Sequence, residues 1–240
     1  MTAKTIAIAR REFRALFDSP VAYIVIVAFL LVTGWMFFST LFLRERADLR
    51  VLFTPSLFSP AMLLLIFAPA ISMRAVAEER KSGTIELLTS MPVRDWEVVL
   101  GKFLADFALT AAAVLSTLVY AITVACIGDL DWGPVISGYL GMLLFAASLL
   151  AIGLMCSSWT DNQIVAFIVA LLIGACLYVI SWLQFFVPDF IAPLVDYVSL
   201  SSHLSNMARG VLDTRDLLYY FTLIGGALFI AERSMAHQHA

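Results

Sequence analysis

Charge is scarce in this chain. Only 14% of its 240 residues are Asp, Glu, Lys or Arg, while 62% are hydrophobic. Soluble domains carry roughly 25% charged residues, so an ordinary water-soluble domain is excluded and an integral membrane protein is left. The net charge of −3, with no basic patch among aromatics, gives nucleic acid nothing to bind. Cysteine is scarcer still. Cys126, Cys156 and Cys176 all fall inside apolar runs without close pairing. Neither a disulfide framework nor a zinc site is indicated, and the three read as small packing residues. Histidine is confined to His203, His237 and His239, outside every long apolar run, which excludes a bis-histidine haem within a bundle. His237 and His239 read as part of a solvated tail. A phosphate-cradling loop is missing too: Gly101-Lys102 is followed by Phe103, and no glycine precedes it at the needed spacing. The chain is therefore expected to bind no cofactor and to bring no fuel chemistry of its own.

What the sequence has in abundance is long apolar runs. Six spans are predicted: Val21–Leu43, Leu57–Met73, Lys102–Ile127, Pro134–Cys156, Ile164–Val187 and Leu217–Ala231. Most come close to the ~20 residues needed to cross about 30 Å of hydrocarbon; the last is short. Pro60 and Pro69 are expected to bend the second. Asp95–Leu100 reads as a short amphipathic turn ahead of the third, and Thr160-x-x-Gln163 as a capping box for the fifth. The first run ends at Arg44-Glu45-Arg46 without a small-residue cleavage site, so a retained span is expected rather than a leader. If the N-terminus is inside, ten of the 15 Lys and Arg lie on the cytoplasmic side, which also places the C-terminus there. Ala108, Ala112 and Ser116, and likewise Ala166, Ala170 and Gly174, form small-residue stripes. Such stripes either hold a bundle together or make a dimer or gating seam.

The segments between and before the spans carry their own patterns. Within residues 4–17, Ile6, Ala9, Phe13 and Phe17 share one side with Leu16 beside them, while Lys4, Arg10, Arg11 and Arg14 occupy the rest. This is a helix lying in the membrane surface or packed on the protein's own cytosolic face. Ser19 and Pro20 then cap and open the next helix. Residues 78–92, EERKSGTIELLTSMP, are the most charged stretch. Ser82-Gly83 breaks the preceding helix, which the Arg74–Glu78 pair carries past the surface. Thr84 to Ser90 can make about two turns before Pro92. Ile85 and Leu88 share a face, and Glu86 sits near the positive end of the dipole, or is simply a solvated acid there. A short helix with a small apolar face, outside the bilayer, suits a groove on a partner protein.

Two polar features remain. Asp106, the one acid inside a predicted span, stands a turn after Lys102; it is an ion-paired, snorkelling residue or a proton-relay group. In 188–216, Pro188 and Pro193 bracket one piece, Phe190–Val198 is apolar enough to dip into the membrane, and Ser199–Arg209 makes a second helix ending at Gly210. The segment is a re-entrant or surface hairpin, or else an ordinary loop.

The run from Glu79 through Leu88, followed by Ser90-Met91-Pro92-Val93 and Leu100-Gly101-Lys102, resembles the signature of type-2 ABC exporter permeases. Ser199-Leu200-Ser201-Ser202-His203, the run Ala208–Asp216 and Tyr219-Tyr220 are similar to the gliding-motility-type branch. The resemblance implies an all-α, six-span bundle in the bacterial inner membrane. It would be a single permease domain over 1–240, with an interfacial helix at 1–19, a cytoplasmic coupling segment at 78–92 and an extracytoplasmic helical segment at 188–216. It implies that Glu79, Arg80, Lys81, Gly83, Thr84, Ile85, Glu86 and Leu88 couple the bundle to a pair of nucleotide-binding subunits, which hold the ATP and Mg. A second permease subunit, identical or different, would complete the path; in this branch it often carries a large extracytoplasmic domain. His203, Arg209, Gly210, Asp213, Arg215 and Asp216 would form an outer polar cluster that closes the path or docks a partner. The plainer alternative is helix caps and a salt bridge. The expected function is the non-catalytic membrane subunit of an ATP-driven exporter, or alternatively a non-transporting module that passes ATP-driven motion to an extracytoplasmic partner.

Overall fold

Where no water is at hand, a chain must satisfy its backbone internally, and these apolar runs do so as helices. The computed structural model describes residues 3–44, 49–56, 59–81, 83, 94–128, 130–185, 188 and 190–236, and every regular element among them is helical. α1 (Ala3–Asp18) is followed by α2 (Pro20–Arg44), with Pro20 at its first position. A single helical turn, α3 (Arg50–Phe53), precedes α4 (Pro60–Ser72). Pro60 opens α4, where a missing N–H is no loss; the expectation that it bends a span already under way is corrected. Pro69 does lie inside α4. The helix then loosens into turns at 73–76 and resumes as α5 (Ala77–Lys81).

α6 (Asp95–Ser116) is continuous with the stretch expected as a separate turn, because Glu97 accepts the Arg94 N–H at 3.1 Å and starts the helix there. After a turn at Thr117 the path continues as α7 (Leu118–Ile127). α8 (Trp132–Trp159) is capped by Asp131, whose carboxylate accepts from the Gly133 N–H at 3.2 Å. α9 (Gln163–Val179) is capped by Asn162, which accepts from the Ile164 N–H at 3.0 Å. Thr160, the expected cap, instead accepts from the Asn162 N–H at 3.1 Å. A 3₁₀ turn, Ile180–Phe185, leads to α10 (Ala192–Val198), α11 (Leu200–Ala208) and α12 (Thr214–Ala236).

Five stretches are long and apolar enough to cross a bilayer: Ala22–Leu41, Pro60–Lys81, Asp95–Ile127, Trp132–Trp159 and Gln163–Leu183. The chain is a multi-pass membrane protein. α12, expected as a sixth span, is 23 residues long but is not among these five, since its apolar run, Leu217–Ala231, is closed by Asp216 at one end and Glu232-Arg233 at the other.

The bundle is organised around α8. Its span is 83% buried, against 22% for that of α2, and α3, α4, α6, α9, α11 and α12 all pack on it. Two glycines make this possible. A β-carbon on Gly138 would lie 2.3 Å from the Phe53 ring, and one on Gly153 would lie 1.9 Å from Ser72 Oγ. Phe53 is fully buried, with Leu49 and Leu52 beside it, and its ring meets Tyr139 edge-on at 4.9 Å. α3 therefore plugs one end of the bundle.

The small-residue stripes divide. Ala166, Ala170 and Gly174 are buried, whereas the buried side of α6 is Ala105, Leu109 and Ala113, and Ala108, Ala112 and Ser116 are half-exposed beside it. α1 lies against α6, with Thr5 fully buried, Ile8 over Gly101 and Ile6 55% exposed. Its packed face is thus one residue out of register with the expected line. Cys156 is buried, but Cys126 and Cys176 are exposed on the bundle surface, so the packing role expected of all three holds for one.

Candidate functional site

The break in the second span sets up the polar corner at one end of the bundle. A helix that restarts at Ala77 leaves its first N–H groups without partners. Ser157, near the end of α8, supplies the acceptor: its Oγ receives the Val76 and Ala77 N–H groups at 3.1 and 3.0 Å and donates to the Met73 carbonyl at 2.9 Å. One hydroxyl thereby ties both pieces of the span to α8. On α5, Glu79 Oε1 meets Lys102 Nζ of α6 at 2.6 Å, and the lysine side chain is 4% exposed. Arg80 donates to the Ser158 carbonyl, which also receives Ser234 Oγ of α12 at 3.0 Å. The same guanidinium lies 3.6 Å from Asp161, in the link between α8 and α9. α5 is thus held by charge-assisted bonds to three neighbouring elements.

Gly83 ends this root. Its φ is +71°, a backbone region that L side chains rarely adopt, and its N–H bonds to the Arg80 carbonyl at 3.0 Å, the usual C-terminal stop of a helix. Of the expected coupling residues, Glu79, Arg80, Lys81 and Gly83 stand together here, with Lys81 exposed. Thr84, Ile85, Glu86 and Leu88 lie outside the described residues. Beside the root is a cleft of about 330 Å³ lined by Glu12 of α1, Arg74, Glu78, Glu79, Lys102 and Asp106. Lys102 gives its ion pair to Glu79 and not, as expected, to Asp106; Asp106 is buried and its Oδ2 has no hydrogen-bond partner among the described residues.

The stretch of α8 from Ser137 to Ser157 rises about 30 Å, so Ser137 marks the opposite end, where its Oγ donates to the Met207 carbonyl of α11 at 2.8 Å. Here His203 and Asp216 form a buried pair, Nδ1 to Oδ1 at 2.6 Å, with side chains 6% and 3% exposed. His203 Nε2 faces the Tyr197 carbonyl at 2.8 Å. A carbonyl only accepts, so Nε2 carries a proton, and the Nδ1–Oδ1 contact holds a second one. Tyr219 stacks on the imidazole at 4.0 Å and donates to the Val198 carbonyl at 2.6 Å. Asn206 reaches Asp216 at 3.5 Å.

The six residues expected as one outer cluster therefore separate. His203 and Asp216 meet in the core. Asp213 accepts the Arg215 N–H at 3.0 Å and caps α12, both side chains being exposed. Arg209 turns to Ser205 at 3.3 Å, and Gly210, at φ +94°, ends α11 against Pro134. The partners Ser157, Ser158, Asp161 and Tyr197 escape sequence reading. The Ser157-Ser158 pair at the close of an apolar run is their one visible sign. Among the described residues, no group of three or more His, Cys, Asp and Glu could hold a metal.

Both ends are built for holding helices together across a membrane-length bundle, and neither brings a nucleophile to a base. That is the architecture of a multi-pass membrane component. The chain matches the family described as ABC-2 family transporter protein over residues 50–230, well over half its length, and belongs to that family. It is also 31% identical over 125 residues to the probable multidrug ABC transporter permease YbhR of Escherichia coli K12, and equally to that of strain O157:H7. These alignments cover 52% of this chain and 33% of each relative, so the chain spans about a third of the length of the curated relatives it matches.

Proposed function

We propose that this chain is the permease subunit of an ATP-driven exporter of the bacterial inner membrane, in the gliding-motility-type branch. In this reading it has six spans, with α12 as the last and both termini cytoplasmic. α1 lies at the membrane surface and 188–216 at the outer side. Segment 83–90 seats in a groove on a nucleotide-binding subunit, and a second permease subunit completes the path. ATP and Mg are held by the nucleotide-binding pair, and this chain's work is mechanical. Closure of that pair displaces segment 83–90, and α5 carries the displacement into the bundle.

The observation that carries the reading is the anchoring of α5. Glu79 on Lys102, Arg80 on Ser158 and Asp161, and Ser157 on the helix break join the root of the coupling segment to α6, α8 and the α8–α9 link. A solvated loop has no need of such fixtures; a segment that receives force does.

The test is to reconstitute the chain with its nucleotide-binding partner and to compare wild type with Glu86→Lys and Gly83→Pro. Both variants should insert normally and lose the link between ATP turnover and export. Retention of full export by both sinks the reading.

A further inference from the structure

A second pocket, of about 400 Å³, lies at the end of the bundle opposite the coupling root, between the 3₁₀ turn, α10 and α11. It is distinct from the buried His203–Asp216 pair, although Asn206 lines it while reaching back to Asp216. Its volume falls within the range of small-molecule sites, roughly 300–1,000 Å³. The wall is the polar side of α11, Ser202, Ser205, Asn206 and Arg209, whose other side, Leu200, Leu204 and Met207, is fully buried. Asp196 of α10 and Trp182 of the 3₁₀ turn also line it, with Tyr178 and Pro55 beyond them.

The open valences of these groups describe the ligand. Ser202 Oγ donates to one oxygen of Asp196 at 2.6 Å, leaving the other carboxylate oxygen to accept. Arg209 reaches Ser205 at 3.3 Å, and its remaining N–H groups have no partner among the described residues. Asn206 spends its amide nitrogen on Asp216 and keeps its oxygen as an acceptor. The indole of Trp182 is 42% exposed and offers a flat apolar face. One cation and one anion cancel, so the pocket does not select for a phosphate or any other strongly charged group. Several hydroxyl and amide groups argue against a purely apolar guest, because each would lose water without gaining a partner. What remains is a ligand that both donates and accepts around its rim and is flat and C–H-rich on a face.

We propose that this pocket binds a saccharide unit. The ring's C–H face stacks on Trp182, and its hydroxyls bond to the Asp196 carboxylate, the Asn206 oxygen and the Arg209 guanidinium. Binding follows from the pocket alone. That the sugar is part of a cargo or of a surface polymer outside the cell rests on the permease reading.

The test uses the full chain in lipid nanodiscs, since maltoside detergents would themselves compete. Cellobiose and chitobiose are the probes, with phosphocholine and inorganic phosphate as contrasts, read by calorimetry and by saturation-transfer NMR. At least one disaccharide should bind saturably, with transfer strongest to protons on one ring face. Trp182→Ala and Asp196→Asn should each weaken it about tenfold at an unchanged melting temperature, as both side chains are exposed. The inference is overturned if neither disaccharide binds, if phosphocholine or phosphate binds in their place, or if the variants bind as well as wild type. No ATPase is present in this assay, so its outcome is independent of the Glu86→Lys experiment.

Discussion

At one end of α8, charged groups reach across to neighbouring backbone and stay partly wet: Arg80 leans on the Ser158 carbonyl, and its carboxylate partner Asp161 is 75% exposed. At the other end, His203 and Asp216 are sealed between α11 and α12 under a stacked tyrosine. The same bundle thus carries, where one span is broken, a fixture that joins a largely buried pair, Glu79–Lys102, to a carboxylate in water, and a closed, dry one where two short helices meet a third. Exposed ion pairs cost little to make or break, since water replaces the lost partner. A buried pair whose partner is removed leaves an uncompensated polar group. The difference comes down to one water-exposed carboxylate at the α5 end against none at the α11–α12 end.

Substitutions at the two ends should therefore differ sharply. Asp216→Ala should have the largest effect, about 3 kcal/mol of stability lost, because His203 Nδ1 is stranded in the core. Chemical unfolding in micelles would show it, and a near-neutral result would mean that the pair is wetter than its burial implies. Gly138→Ala comes next at about 1–3 kcal/mol. The new methyl falls on the Phe53 ring, whose own position is held by Tyr139, so a lowered melting temperature is expected together with altered near-ultraviolet dichroism. Ser157→Ala should cost about 1–2 kcal/mol and should also slow export, since the helix restart at Ala77 loses its acceptor. Unchanged export with normal stability would separate α5 from any mechanical role. Asp161→Asn should be smallest, with no measurable change in stability and a change only in how steeply activity falls with salt.

Much of the bundle was legible in the sequence, because lipid-grade apolar runs admit few structures. Four of the predicted spans map directly onto apolar helices, and the second does so once its start moves from Leu57 to Pro60. What was illegible depended on partners distant in the chain. Val51-Leu52-Phe53 are visibly apolar, but where they pack follows from Gly138, far along the chain. Lys102 looked paired to Asp106 because they are neighbours on one helix, yet Glu79 arrives from another. The register of α1 slipped by one residue because its face is chosen by Gly101 and not by its own apolar line. At the outer motif, His203, Asp213, Arg215 and Asp216 looked like one cluster since they crowd a short stretch. The start of α12 turns Asp216 inward and leaves Asp213 and Arg215 out. For segment 84–93 the signature remains the only guide.

The four residues at 73–76 give the second span a joint rather than a shaft. A push along a continuous helix would travel up it like a piston, arriving undiminished at the far membrane face. In the proposed reading a push on α5 would meet hydrogen-bonded turns tied to α8 through the Ser157 hydroxyl, and would be shared with that neighbouring column.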